Sequence, residues 1–143
     1  MEVQANAQWV AVTIINGTNE RDLKVQHASV SYGYFWKGDD KSTEMPVSEV
    51  DEIVVAPRNE ETVQACGRAN LAEGTEGQFD VFDGDTKICN VYWNCPWARK
   101  SNDFNVHVAD AVKTTYTVSV GRWSKDAGAI GDVRVEIEHN GVD

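Results

Sequence analysis

The stretch Trp9-Val10-Ala11-Val12-Thr13-Ile14-Ile15 decides the fold class. Successive side chains of a strand point to opposite faces, so residues two apart share a face. Val10, Val12 and Ile14 make one face, and Trp9, Ala11, Thr13 and Ile15 make the other. The stretch reads as a strand that is apolar on both faces. Asn16-Gly17-Thr18-Asn19 then turns the chain. Outward from there the same period of two recurs. Residues 23–26 read as a second strand. Val30, Tyr32, Tyr34 and Trp36 are spaced by two and share a face, with Gly33 and Phe35 opposite. Lys37-Gly38-Asp39-Asp40 is a turn. Further strands are expected at residues 53–56, 62–66, 78–82, 87–94, 105–109, 116–122 and 133–138. Asp83-Gly84-Asp85 is a tight-turn signal between two of them. No segment offers a helix of three turns. Residues 42–52 contain Pro46 and read as a loop with one short turn. The expected architecture is all-β, a single-domain antiparallel β-sandwich over residues 1–143.

Composition bounds the function. The chain of 143 residues is enough for one sizeable core. Its 13 basic and 23 acidic residues give a formal charge of -10. That balance argues against general phosphate-backbone binding, so no nucleic-acid partner is expected. It also argues against simple electrostatic attachment to an anionic bilayer. No apolar run is long enough for a transmembrane helix. Residues 1–8 lack a basic start followed by an apolar run, so a Sec-type signal peptide is not expected. Cys66, Cys89 and Cys95 are odd in number and imply no disulfide framework. Asn16-Gly17-Thr18 is a glycosylation sequon that matters only on a glycosylating secretory route.

Charge is unevenly spread. Residues 39–61 carry eight acids and two bases, whereas residues 87–125 carry six bases and two acids. Such an asymmetry suits a molecule whose parts meet different partners, and equally two ordinary solvated faces. Signals for chemistry are sparse. There is no Cys-x-x-Cys or His-Glu-x-x-His pair, so no metal or cofactor is expected. Asp80, Asp83 and Asp85 do not follow a calcium-loop spacing and read as turn aspartates. No Gly-x-Ser-x-Gly elbow is present, and no enzyme is expected. Gly74-Thr75-Glu76-Gly77 lacks the Gly-Lys ending of a phosphate cradle. Aromatic density is the unusual feature: Tyr92, Trp93 and Trp97 surround Cys95-Pro96, with Arg99 and Lys100 directly after. Rings with polar handles suit membrane interfaces and pocket rims. Rings beside a base suit a phosphocholine or phosphoethanolamine headgroup. On spacing alone, a packed core tryptophan with a solvated basic loop is the stronger reading.

Motifs in order along the chain add to this. Ala7-Gln8-Trp9-Val10, Ala65-Cys66-Gly67-Arg68, Ala72-Glu73-Gly74-Thr75-Glu76-Gly77-Gln78-Phe79-Asp80 and Tyr92-Trp93-Asn94-Cys95-Pro96-Trp97 resemble the aegerolysin family. Asn102-Asp103-Phe104 and Gly128-Ala129-Ile130-Gly131 also look like it. The resemblance spans residues 7–138. It implies a small acidic β-sandwich, made in the cytoplasm without a signal peptide and then released. It implies action at the surface of sphingolipid-containing membranes. It further implies the lipid-binding half of a two-component cytolysin, whose larger partner of the membrane-attack-complex/perforin type supplies the pore. By the resemblance, Glu73 discriminates the headgroup and Lys100 lies near it. Trp9, Tyr92, Trp93 and Trp97 build either the core or the membrane-facing region, and Arg99 accompanies Lys100. Arg68 organises loops. Departures are Tyr32-Gly33-Tyr34 for Trp-Gly-Lys, Asn94-Cys95-Pro96-Trp97-Ala98 for Asp-Cys-Pro-Trp-Gly, Arg68-Ala69-Asn70 for Arg-Ser-Asp, and an additional Cys89. They favour a bacterial, insecticidal pair and leave the lipid open. The alternative expectation is a glycan- or protein-binding module without pore function.

Overall fold

The computed structural model describes residues 7–141. Two sheets pack face to face. One has six strands in the order β10-β11-β1-β6-β3-β4, and the other has five in the order β5-β2-β7-β8-β9. The strands are β1 Trp9–Asn16, β2 Leu23–Tyr32, β3 Tyr34–Lys37, β4 Asp40–Met45, β5 Val54–Val55 and β6 Glu60–Cys66. They continue as β7 Thr75–Asp83, β8 Thr86–Cys95, β9 Asp103–Val108, β10 Tyr116–Val120 and β11 Gly131–His139. One helical turn, α1 Val47–Val50, joins β4 to β5.

The expected sandwich is present, with one pairing that period-two reading does not reveal. β1 runs parallel to β11, from Val10↔Gly131 to Asn16↔Ile137. Its other neighbour, β6, is antiparallel. Side-chain alternation is the same in both kinds of ladder, so the pattern carries no information about direction.

The core fills from the inner faces. Val10, Val12 and Ile14 of β1 join Val63, Val133, Val135 and Ile137 against Val25, Phe79, Val81, Val91 and Trp93 of the other sheet. Each such side chain contributes roughly 1.5–3 kcal/mol by leaving water. The outer side of β1 is used as well. Trp9 packs on Tyr34, Trp36 and fully buried Cys66 in a smaller cluster outside the six-stranded sheet.

The run expected to share a face over residues 30–36 is divided between sheets. β2 ends at Tyr32 in the five-stranded sheet, and β3 begins at Tyr34 in the six-stranded one. Gly33 makes the crossing at φ +85°, where a Cβ would stand 2.5 Å from the Cys66 carbonyl oxygen and 2.7 Å from Thr75 Cβ. Only glycine fits that conformation and that space. Residues 42–52 also differ from expectation. β4 is a polar edge strand with no apolar alternation to mark it, and α1 is the single turn that was expected.

Asn16 is fully buried at the end of β1. Its Nδ2 donates to the carbonyls of Arg21 (2.6 Å) and Val55 (2.9 Å), and its Oδ1 accepts from Thr18 N and Oγ1. The sequon is therefore closed in the folded chain, because the nitrogen that would carry a glycan is already inside.

The charge asymmetry maps onto the sheet edges. Residues 39–61 supply edge strands β4 and β5 with α1 between them, while the other edges, β9 and β10, lie in the basic segment.

Candidate functional site

The sequence signals converge on one end of the sandwich. β1 starts there, β2, β6 and β8 end there, and β7 starts there. Register fixes this through Trp9↔Cys66, Tyr34↔Cys66, Tyr32↔Glu76 and Thr75↔Cys95. The connecting loops 67–74, 96–102 and 121–130 lie at this end.

These loops touch closely. A Cβ on Gly74 would lie 1.8 Å from the Cys95 carbonyl oxygen, so the Glu73-Gly74 strip rests directly on Cys95-Pro96. The Gln8 amide, with its nitrogen turned toward them, donates to the carbonyls of Pro96 (3.1 Å) and Gly128 (3.0 Å). Buried Asn102 places its Nδ2 among three carbonyl oxygens, Ser124 at 3.0 Å, Asp126 at 2.7 Å and Gly128 at 3.0 Å. Asn102 thus ties loop 96–102 to loop 121–130. Ala98 sits at φ 71°, the left-handed region that a side chain disfavours. The resemblance expects glycine at this position, so the departure stores backbone strain in the loop that carries Trp97, Arg99 and Lys100.

The candidate residues divide among four environments. Glu73 and Trp97 are half-buried on the touching loops, and Arg99 and Lys100 are exposed on the second loop. Tyr92 lies on the outer face of the five-stranded sheet, where its hydroxyl donates to Glu76 Oε2. Burial, and then that bond, pushes its phenol up to about 12. Tyr32 shares this surface. Burial raises its phenol, and the negative charges of Glu76 and Glu73 raise it further. Trp9 lies on the outside of the opposite sheet, edge-on to Trp36 with ring centroids 6.3 Å apart. Trp9 and Tyr92 therefore do not share a face.

Trp93 is a correction. It is 0% exposed, packed edge-on to Phe35 at 5.9 Å and near Phe79 at 6.2 Å, with Nε1 donating to Thr75 Oγ1. On β8, Cys89, Val91, Trp93 and Cys95 point inward while Asn90, Tyr92 and Asn94 point outward. Parity thus assigns Trp93 to the core and removes it from the lipid-facing set. Arg68 behaves as the resemblance implies. Its guanidinium meets both oxygens of Glu44, at 3.1 and 3.4 Å, and covers Tyr34 at 4.9 Å, pinning the β3–β4 hairpin to loop 67–74.

Sequence reasoning missed Tyr32 and Glu76 as neighbours of Tyr92 and Glu73. The signal existed in the alternation of Glu76, Gln78 and Asp80 opposite Thr75, Gly77 and Phe79. It needed the β2–β7 register to be read. Among the described residues no group of three His, Cys, Asp or Glu side chains is arranged to hold a metal ion.

Two packed sheets, with an aromatic and mixed-charge surface built from three interlocked loops at one end, define a β-sandwich with a composite loop surface. The chain belongs to the aegerolysin family, whose profile matches residues 7–140. It is similar to Asp-hemolysin of Aspergillus fumigatus, 43% identical over 94% of this chain and 95% of that protein. It is also similar to ostreolysin A6 of Pleurotus ostreatus, 33% identical over 92% of this chain and 95% of that protein. Among solved structures it resembles IP-1A from Alcaligenes faecalis, with a TM-score of 0.88, 31% identity, and coverage of 98% and 96% of the two chains.

Proposed function

We propose that this chain is the non-enzymatic, membrane-targeting component of a two-component pore-forming toxin, and that its loop end reads a sphingolipid headgroup. The observation that carries this reading is the distribution of charge around the rings. Glu73 and Glu76 stand with Tyr32 and Tyr92 on one side, and the loop that Glu73-Gly74 abuts bears Trp97, Arg99 and Lys100. A zwitterionic headgroup has an ammonium and a phosphate a few ångströms apart. Carboxylates and phenol rings suit the first, and exposed bases suit the second. Trp97 supplies the ring that enters the interface. The net charge of -10 keeps nonspecific attraction to anionic surfaces low, so recognition has to be local.

In this reading the chain is made in the cytoplasm, released, and bound at the target-cell surface. The name of Asp-hemolysin supports a lytic role in the family. The perforin-type partner docks on the acidic edge formed by β4, α1 and β5, leaving the loop end to the lipid. Insecticidal action belongs to the same proposal, with insect-cell membranes as the target.

Co-sedimentation with vesicles tests the reading. Binding is expected to vesicles containing sphingomyelin or ceramide phosphoethanolamine and not to phosphatidylcholine alone. Phosphatidylcholine shares the phosphocholine of sphingomyelin but lacks the sphingoid amide and hydroxyl beside the phosphate, so the difference reads those groups together with the headgroup. Dye release is expected only when the perforin-type partner is added, and lysis of insect cells only with both proteins. Absence of binding to every sphingolipid mixture, with retention on a glycan surface, overturns it in favour of a glycan-binding module.

A further inference from the structure

We propose that the corner between Trp9 and Trp36, on the outside of the six-stranded sheet, is a separate seat for an organic ammonium ion, with Lys41 as its tethered occupant. The Lys41 ammonium stands 5.1 Å from the Trp9 ring centroid and 5.3 Å from that of Trp36. The two rings meet nearly at right angles, at 77°. A positive charge held against two indoles gains from both ring quadrupoles at once. The chain thus displays, with its own side chain, the class of group that the corner attracts.

The surroundings favour a cation as well. The corner opens into a groove of about 520 Å³ that Asp39 and Asp132 also line. Two carboxylates and one ammonium line the groove, so it is net negative with Lys41 in place and more so when that ammonium leaves. The walls are fixed independently of it. Trp36 Nε1 donates to the Gly38 carbonyl at 3.1 Å, and Gln64 Nε2 reaches the same oxygen at 2.9 Å. The Lys41 backbone is held by the Tyr34 hydroxyl, which donates to its carbonyl at 2.5 Å. The occupant hangs on four rotatable bonds and can swing into water while the seat keeps its shape. Partial burial in the groove lowers the basicity of Lys41, a cost that departure would relieve. A methylated ammonium loses less on desolvation than a primary one and has methyl surface to lay on the rings, so quaternary ammonium is the ligand class that best displaces Lys41. This seat does not rest on the headgroup reading of Glu73 and Lys100.

Titration of the full chain with tetramethylammonium chloride, followed by the indole N–H resonances of Trp9 and Trp36, tests it, with sodium chloride as the ionic-strength control. Lys41→Met removes the internal competitor and keeps its apolar stem. It is expected to bind about tenfold tighter than the wild type. Within that background Trp9→Leu is expected to abolish the saturable shift. Asp132→Asn, an exposed change that leaves folding intact, is expected to weaken it about threefold. Lys100→Glu is expected to leave the titration unchanged, which keeps failure here distinct from failure of the headgroup reading. Vesicles bearing phosphocholine and vesicles bearing phosphoglycerol separate a lipid source from a soluble one. A gain by Lys41→Met on the former alone assigns the seat to a membrane headgroup, and no difference assigns it to soluble ammonium compounds. No saturable shift in Lys41→Met beyond the sodium chloride control, or an undiminished one in the Trp9→Leu background, overturns the proposal.

Discussion

Gly74 is the point at which a single methyl group separates the two loops of the site. Its backbone is not in the left-handed region, so conformational freedom is not what the position requires. Space is. A Cβ there would lie 1.8 Å from the Cys95 carbonyl oxygen and 2.9 Å from Pro96 C, whereas ordinary contact begins at 3.4 Å. Gly74→Ala must therefore push loop 67–74 away from loop 96–102 by roughly 1.5 Å, because the obstructing atoms are backbone and cannot rotate aside. Overpacking of this kind costs about 1–3 kcal/mol. In a chain of this length that lowers the melting temperature by roughly 4–12 °C. The same shift separates Glu73 from Trp97 and the two bases, so vesicle binding is expected to fall more than stability does. The control is Gly84→Ala at the β7–β8 turn. Gly84 has φ +58° and nothing within 4 Å of a Cβ, so alanine there costs about 1 kcal/mol of backbone strain and touches no loop of the site. Circular-dichroism melts and co-sedimentation of both variants on sphingolipid vesicles check the argument. If Gly74→Ala binds as the wild type does, the close loop contact does not hold the site together.

Three further outcomes follow from other contacts. Asn102→Ala leaves three carbonyls of loop 121–130 without their shared donor and is expected to destabilise by about 2–4 kcal/mol, seen as a lower urea midpoint; a change below 0.5 kcal/mol contradicts the hub. Burial alone would raise Asp80, but bonds from Asn90, His27 and Lys87 outweigh it and hold the carboxyl below its usual value. The folded value is the depressed one, so this stabilisation is full above the unfolded value near 4 and is lost as pH falls through the folded value. Asp80→Asn is accordingly expected to cost about 1–3 kcal/mol at pH 7. The gap to wild type should narrow as pH falls through the folded value, and a gap constant from pH 7 to pH 2 in denaturant melts contradicts this. Cys66, Cys89 and Cys95 are buried and form no disulfide, and burial pushes Cys89 up to about 12 and Cys95 up to about 11. A thiol reagent at pH 8 is expected to label none of them in the native chain and all three in denaturant.

What could be read in the sequence depended on the kind of information each feature carries. Alternation gave the strands of the core, and Asp83-Gly84-Asp85 gave the β7–β8 turn, because both signals are local. Polar edge strand β4 has no apolar face and left no trace. The Gly33 crossing hides in an unbroken run of alternating aromatics, since a switch of sheet preserves the period of two. The parallel β1–β11 pair is equally silent. The motif around Tyr92 and Trp97 pointed to the end of the sandwich where loops 67–74, 96–102 and 121–130 meet. Trp93 was separable from Tyr92 by parity alone, since adjacent residues on one strand face opposite ways. Glu76 and Tyr32 became neighbours of the site only through register between strands far apart in the chain.

The direct test of the central claim is a charge reversal at each end of the sandwich. Lys100 is exposed on loop 96–102, whereas Lys24 is exposed near the start of β2, opposite Phe82 and Val54 at the far end. Lys100→Glu and Lys24→Glu change the net charge equally, so nonspecific electrostatics affects both alike. On sphingolipid vesicles the loop-end reversal is expected to lower affinity by at least tenfold, and the far-end reversal by less than about twofold. Equal losses from the two reversals would contradict recognition at the loop end.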